Sequence, residues 1–138
     1  MFVHETKIRV RYVETDKMGI VHHSNYYIWF EAARDEFIDT LGISYSQMEE
    51  EGIMMPLIET HCKYKEAARY GAVVTIKTFI KELSGAKIVL NYEVIDSNSN
   101  KLLATGSTTQ AFVNSEGFKI INLKRKYPEL YKKFEGLI

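Results

Sequence analysis

Apolar and polar residues alternate from Lys7 to Val13, with Ile8, Val10 and Tyr12 on one side and Arg9 and Arg11 on the other. That period predicts a half-buried strand. From Tyr26 the spacing lengthens. Tyr26, Phe30, Ala33, Phe37 and Leu41 follow one another at four, three, four and four residues, which draws a continuous stripe along a helix. Tyr27, Ile28, Trp29 and Ile38 widen the stripe, so this helix is expected to be wrapped by other elements rather than laid on a surface. Ser24 or Asn25 is suited to cap its start and Gly42 to end it.

Ser44-Tyr45-Ser46-Gln47 has the form of a capping box that opens a short helix, which Gly52 closes. Beyond Ile53 the pattern becomes that of strands: Leu57 to Glu66, Val73 to Leu83, Lys87 to Ile95 and Leu102 to Val113, with Phe118 to Leu123 as a further short one. Asp96-Ser97-Asn98-Ser99-Asn100 and Asn114-Ser115-Glu116-Gly117 are turn compositions. Pro128 is placed to begin a terminal helix, Glu129 to Phe134. Strand, long apolar helix, short helix and then a meander of strands describe an α+β domain: an antiparallel sheet of about five strands closing around the helix. Val89, Ile95 and Phe112 are expected on its outer face, an apolar surface that a second copy of the chain would cover.

At 138 residues the chain is expected to be one domain spanning 1–138, burying about two-thirds of its unfolded surface. Eighteen basic residues balance eighteen acidic ones, so the composition points to neither a nucleic-acid partner nor an anionic membrane surface. The lone cysteine, Cys62, permits no internal disulfide, and the N-terminus lacks the layout of a signal peptide. No apolar run approaches the roughly 20 residues that span a bilayer. A cytoplasmic location is the expectation.

The chemistry concentrates between the first strand and the long helix, in Glu14-Thr15-Asp16-Lys17-Met18-Gly19-Ile20-Val21-His22-His23-Ser24-Asn25-Tyr26. A helix start offers unpaired N–H groups and partial positive charge, which suit a carbonyl oxygen gaining negative charge. Asp16 then stands as a group to attack the carbonyl carbon, or to direct water at it. The competing reading has Asp16 capping a turn or pairing with Lys17, Arg9 or Arg11. Gly19 is suited to positive φ and close approach of a ligand.

His22 and His23, with His61, lack the spacing of a metal site, and no metal is expected. Thr60 is expected on a strand crossing near the helix N-terminus, and Lys63, Lys65, Arg69 and Lys87 are candidates to hold phosphates on a solvated rim. Cys62 is read as a small core residue rather than a nucleophile.

The element order and the loop Asp16-x-x-Gly19-x-Val21-x-x-x-Asn25-Tyr26 resemble the hotdog-fold acyl-CoA thioesterases, most closely their 4-hydroxybenzoyl-CoA thioesterase-like branch. The similarity runs from Thr6 to about Val113. It implies a hotdog fold, a homodimer as minimum with homotetramers frequent, and sites at the subunit interface. It further implies that Asp16 is the catalytic carboxylate, that the His23 backbone N–H polarises the thioester carbonyl, and that Val21, His22 and Tyr26 lie along the substrate. No cofactor is implied, because coenzyme A arrives as part of the substrate. Two other readings remain open on the same fold: an enoyl-thioester hydratase or dehydratase, for which a histidine in this loop is suggestive, and a non-catalytic acyl-thioester-binding domain.

Overall fold

The computed structural model describes all residues 1–138. Its elements are β1 (His4–Arg9), α1 (Ser24–Asp39), α2 (Tyr45–Glu50), β2 (Ile53–Met54), β3 (Leu57–Tyr64), β4 (Val73–Leu83), β5 (Lys87–Asp96), β6 (Leu102–Ala111), β7 (Val113–Asn114), α3 (Leu123–Lys126) and α4 (Pro128–Glu135). Five strands form one antiparallel sheet in the order β1-β4-β5-β6-β3, and β2 pairs with β7 in a small second ladder.

The sheet wraps around α1. The helix packs on β1, β3 and β4, stacks Phe30 on Tyr92 of β5 with ring centroids 4.3 Å apart, and presses Phe30 against Gly106 of β6. Tyr26, Trp29, Phe30, Ala33, Phe37, Ile38 and Leu41 are all buried, as the stripe requires. Ile28 departs from the expected width and is exposed. The capping box at Ser44 and Gln47 forms in both directions, and Gly42 and Gly52 take the positive φ expected where helices end. The hotdog architecture anticipated from the sequence is the one found.

Several boundaries differ for local reasons. β1 begins at His4 and stops at Arg9, while Tyr12–Glu14 form a single 3₁₀ turn that leaves Tyr12 and Val13 exposed. The Glu14 carboxylate accepts the Arg11 N–H at 2.8 Å and so curls the chain out of the sheet. Neither Ser24 nor Asn25 caps α1. The His22 ring accepts the Ser24 N–H instead, and Asn25 donates its amide to the carbonyls of Glu14 and His22. Residues 118–123 contribute only one bridge, Ile120 to Val113, and Leu123 opens α3.

The expected outer apolar face is also corrected. Val89 and Phe112 are buried within the chain and Ile95 is half-buried. Phe112 meets Phe134 of α4, and the C-terminus is tied down by the Phe2 N–H, which donates to Leu137 O. The exposed large apolar side chains lie elsewhere. Leu57 and Ile58 are on β3 and Ile28 is on α1, with Met18 and Tyr64 near the loop ahead of α1.

Candidate active site

Long-range pairing holds the loop between the 3₁₀ turn and α1. Thr15 bridges to Val21, Ile20 bridges to Arg69, and Val21 N–H donates to Ala68 O at 2.9 Å. Within the loop, Asp16 N–H donates to Ile20 O and Gly19 N–H to Asp16 O. Gly19 takes φ +78°, a backbone that L residues rarely adopt.

Asp16 is half-buried. One carboxylate oxygen, Oδ1, accepts the Met18 N–H at 2.8 Å. No Lys or Arg pairs with Asp16, so the ion pairs weighed from sequence do not form, although the turn-capping bond does. The other oxygen, Oδ2, makes no hydrogen bond within the chain.

The first backbone N–H groups of α1 are unequally served. Ser24 N–H reaches the His22 ring, Asn25 N–H donates to His22 O and Tyr26 N–H to His23 O. His23 N–H has no partner in the chain, and His23 is exposed. An unpaired donor at a helix start is suited to an oxygen that becomes anionic.

Asp16 and His23 line one cavity of about 290 Å³ together with Met18, Ile20, Val21, Tyr26, Tyr64, Lys65, Glu66 and Ala67. Its walls are mainly apolar and aromatic. Tyr26 sits edge-on to Tyr64 at 5.1 Å, and the Tyr64 hydroxyl reaches His23 O at 3.5 Å. Burial pushes the Tyr26 phenol up. Partial burial and the adjacent Cys62 do the same to Tyr64. Burial also raises the Cys62 thiol. The carboxylates lining the cavity are Asp16 and Glu66.

Of the residues singled out from sequence, Asp16, Val21, His23 and Tyr26 therefore share this cavity. Gly19 shapes the loop without lining it. The His22 ring lies 2.8 Å from the Ser24 hydroxyl, a short hydrogen bond. Thr60 is exposed on β3, and Lys63 lines a separate polar groove with His61, Lys81 and Asn91. Lys87 pairs with Glu82 at 3.8 Å. Lys65, one of the candidate phosphate contacts, lines the cavity as well, whereas Met18, Ile20, Tyr64 and the segment 66–67 were not singled out from the sequence. The last is brought over by the Ala68 and Arg69 pairings, which no local pattern announces. No group of three or more metal-ligating side chains gathers in the structure.

Known proteins resemble this chain in sequence and in fold. The family model described as the thioesterase-like superfamily matches residues 10–134. YneP of Bacillus subtilis (strain 168), whose name carries a provisional acyl-CoA thioesterase assignment, is 34% identical over 98% of this chain and 97% of its own. The acyl-CoA thioesterase YbgC of Haemophilus influenzae is 29% identical over 75% of this chain and 74% of its own. Among solved structures, the DHNA-CoA thioesterase of Staphylococcus aureus superposes with a TM-score of 0.93. It is 37% identical, covering 99% of this chain and 91% of that one.

Proposed function

The chain belongs to the thioesterase-like superfamily, and from that premise we propose that it hydrolyses acyl-CoA thioesters to a free acid and coenzyme A. The observation that carries the reading is that one cavity is lined by both Asp16, which has a carboxylate oxygen unengaged, and His23, whose backbone N–H has no partner in the chain.

A thioester already has a good leaving group, so the demanding step is forming the charged tetrahedral adduct. His23 N–H and the positive end of α1 stabilise that charge as it appears, and losing one such donor typically costs about 2.7–4 kcal/mol. Asp16 either attacks the carbonyl carbon, giving an anhydride that water then opens, or takes the proton of an attacking water. In both routes the thiolate of coenzyme A leaves and is protonated. Val21 and Tyr26, with Met18, Ile20 and Tyr64, flank the acyl group; Gly19 keeps the loop backbone clear of it. His22 orders the first turn of the helix. Thr60, Lys63 and Lys87 are assigned to the outer path of the coenzyme, as contacts for pantetheine and phosphate. This chemistry calls for neither metal nor organic cofactor.

The proposed working unit is a homodimer, with a homotetramer as the further assembly. β3 is an edge strand, all its residues but Cys62 are exposed, and it carries Leu57 and Ile58, while Ile28 is exposed on α1. An open apolar edge of this kind is a template for pairing with a second chain. No helix is long and apolar enough to cross a membrane, and the lone half-buried Cys62 suits the reducing cytoplasm proposed as the location.

The test is thiol release measured over short, medium, long and aryl acyl-CoA substrates. Turnover of at least one class supports the reading. Loss of enoyl absorbance from an unsaturated acyl-CoA without thiol release would assign a hydratase instead. Binding without turnover across the panel would leave an acyl-thioester-binding domain.

A further inference from the structure

We infer that Glu14 is a positioning residue for the thioester site, holding the His23 N–H in place through Trp29 and through its own backbone carbonyl. The inference rests on the reading of Asp16 and His23 given above.

Glu14 is 2% exposed, yet it carries a carboxylate. Its Oε2 accepts the Trp29 indole N–H at 2.8 Å and an Arg11 guanidinium N–H at 3.4 Å. Its Oε1 accepts the Arg11 backbone N–H at 2.8 Å. Its carbonyl accepts the His22 N–H and the Asn25 side-chain amide, both at 2.9 Å. One residue thus ties together the turn leaving β1, the residues on either side of His23, and a side chain on the second turn of α1.

Stability alone is a poor reason for this arrangement. Burying a carboxylate is costly unless it is paired. The cation that meets it, Arg11, has a side chain 69% exposed and lies at 3.4 Å, so much of that attraction is screened. A charged group kept inside a fold can serve by the geometry it imposes. Here the geometry is that of the oxyanion donor: His22 is fixed from one side and Asn25 from the other, with His23 between them. The Trp29 bond adds a rigid strut from the body of the helix to the same residue. A donor displaced by about 1 Å can cost on the order of a hundredfold in rate, so such bracing bears on turnover rather than on affinity.

Trp29 is the sole tryptophan of the chain, so selectively excited tryptophan emission reports the surroundings of this one indole, the Glu14 bond among them. Glu14→Gln is near-isosteric but puts a donor where one of its N–H partners needs an acceptor. The expected result is a kcat for thiol release lowered by about tenfold or more, a KM within about twofold of wild type, and a shifted Trp29 emission. Trp29→Phe breaks the same bond from the other end and is expected to lose kcat similarly. The double variant is expected to lose little more than either single one, because both remove one interaction.

A folded Glu14→Gln protein with wild-type kcat overturns the inference, and so does a folded Trp29→Phe protein at full kcat. If Glu14→Gln does not fold, Trp29→Phe decides alone. Asp16→Asn is run beside them. If it turns over normally, the reading of the site itself fails. If it is inactive while Glu14→Gln is fully active, only the role of Glu14 fails.

Discussion

Phe30 lies so close to Gly106 that a Cβ built on the glycine would meet the Phe30 ring at 2.5 Å and His61 O at 2.9 Å. The central helix can settle into the sheet because that strand position has no side chain. Gly106→Ala must displace either the ring or the strand, and overpacking of this kind costs about 1–3 kcal/mol. A lowered melting temperature, read by circular dichroism, is the expected result. A variant as stable as wild type would show that Phe30 has room to move.

Gly19 makes a different prediction. Nothing lies within 4 Å of a Cβ placed there, so the cost of a side chain is conformational, not steric contact with neighbours. With φ at +78°, Gly19→Val is expected to lose about 1–3 kcal/mol and to lower turnover by distorting the Asp16 loop. Chemical denaturation and thiol release on the same preparation measure both. Full stability and activity would mean that the loop does not need this backbone.

Two carboxylates line the cavity, and they are expected to behave differently. Glu66 is exposed and its side chain makes no hydrogen bond, whereas Asp16 is half-buried and held by the Met18 N–H. Glu66→Gln should leave kcat close to wild type. A collapse of kcat in that variant would transfer the chemistry to the segment after β3.

Cys62 should be a sluggish nucleophile. Burial raises its thiol above the ordinary value, which keeps the thiolate scarce at neutral pH. Alkylation by iodoacetamide, followed by mass spectrometry, is expected to be slower than for free cysteine and to speed up as pH rises. Rapid modification at neutral pH would show that the thiol is activated.

The fold was legible wherever a local signal is strong. The apolar stripe from Tyr26 to Leu41, the capping box at Ser44 and the glycines that end both helices each act over a few residues, and each appears as expected. Phe112 was misplaced because alternation assigns residues to a face without saying what covers that face, and here α4 returns to bury it. Ser24 and Asn25 do not cap because α1 already includes them, with the Ser24 hydroxyl bonded to the His22 ring and the Asn25 amide donating to the Glu14 carbonyl.

The candidate site was legible only in part for a similar reason. Asp16 and His23 lie in one continuous loop, so their partnership can be read in order. Glu66 and Ala67 reach the same cavity through the pairing of Val21 with Ala68, a contact between residues far apart in the chain. Glu14 opens the same loop, but no sequence pattern gives it a role. Only its burial against Trp29 distinguishes it.

The most direct test of the account is the rate of thiol release by Asp16→Asn on the best acyl-CoA substrate of the wild-type protein. Asn fills the same space but can serve as neither base nor nucleophile, so kcat should fall by about a hundredfold or more while Trp29 fluorescence stays unchanged. A correctly folded Asp16→Asn protein that releases thiol at the wild-type rate would contradict it.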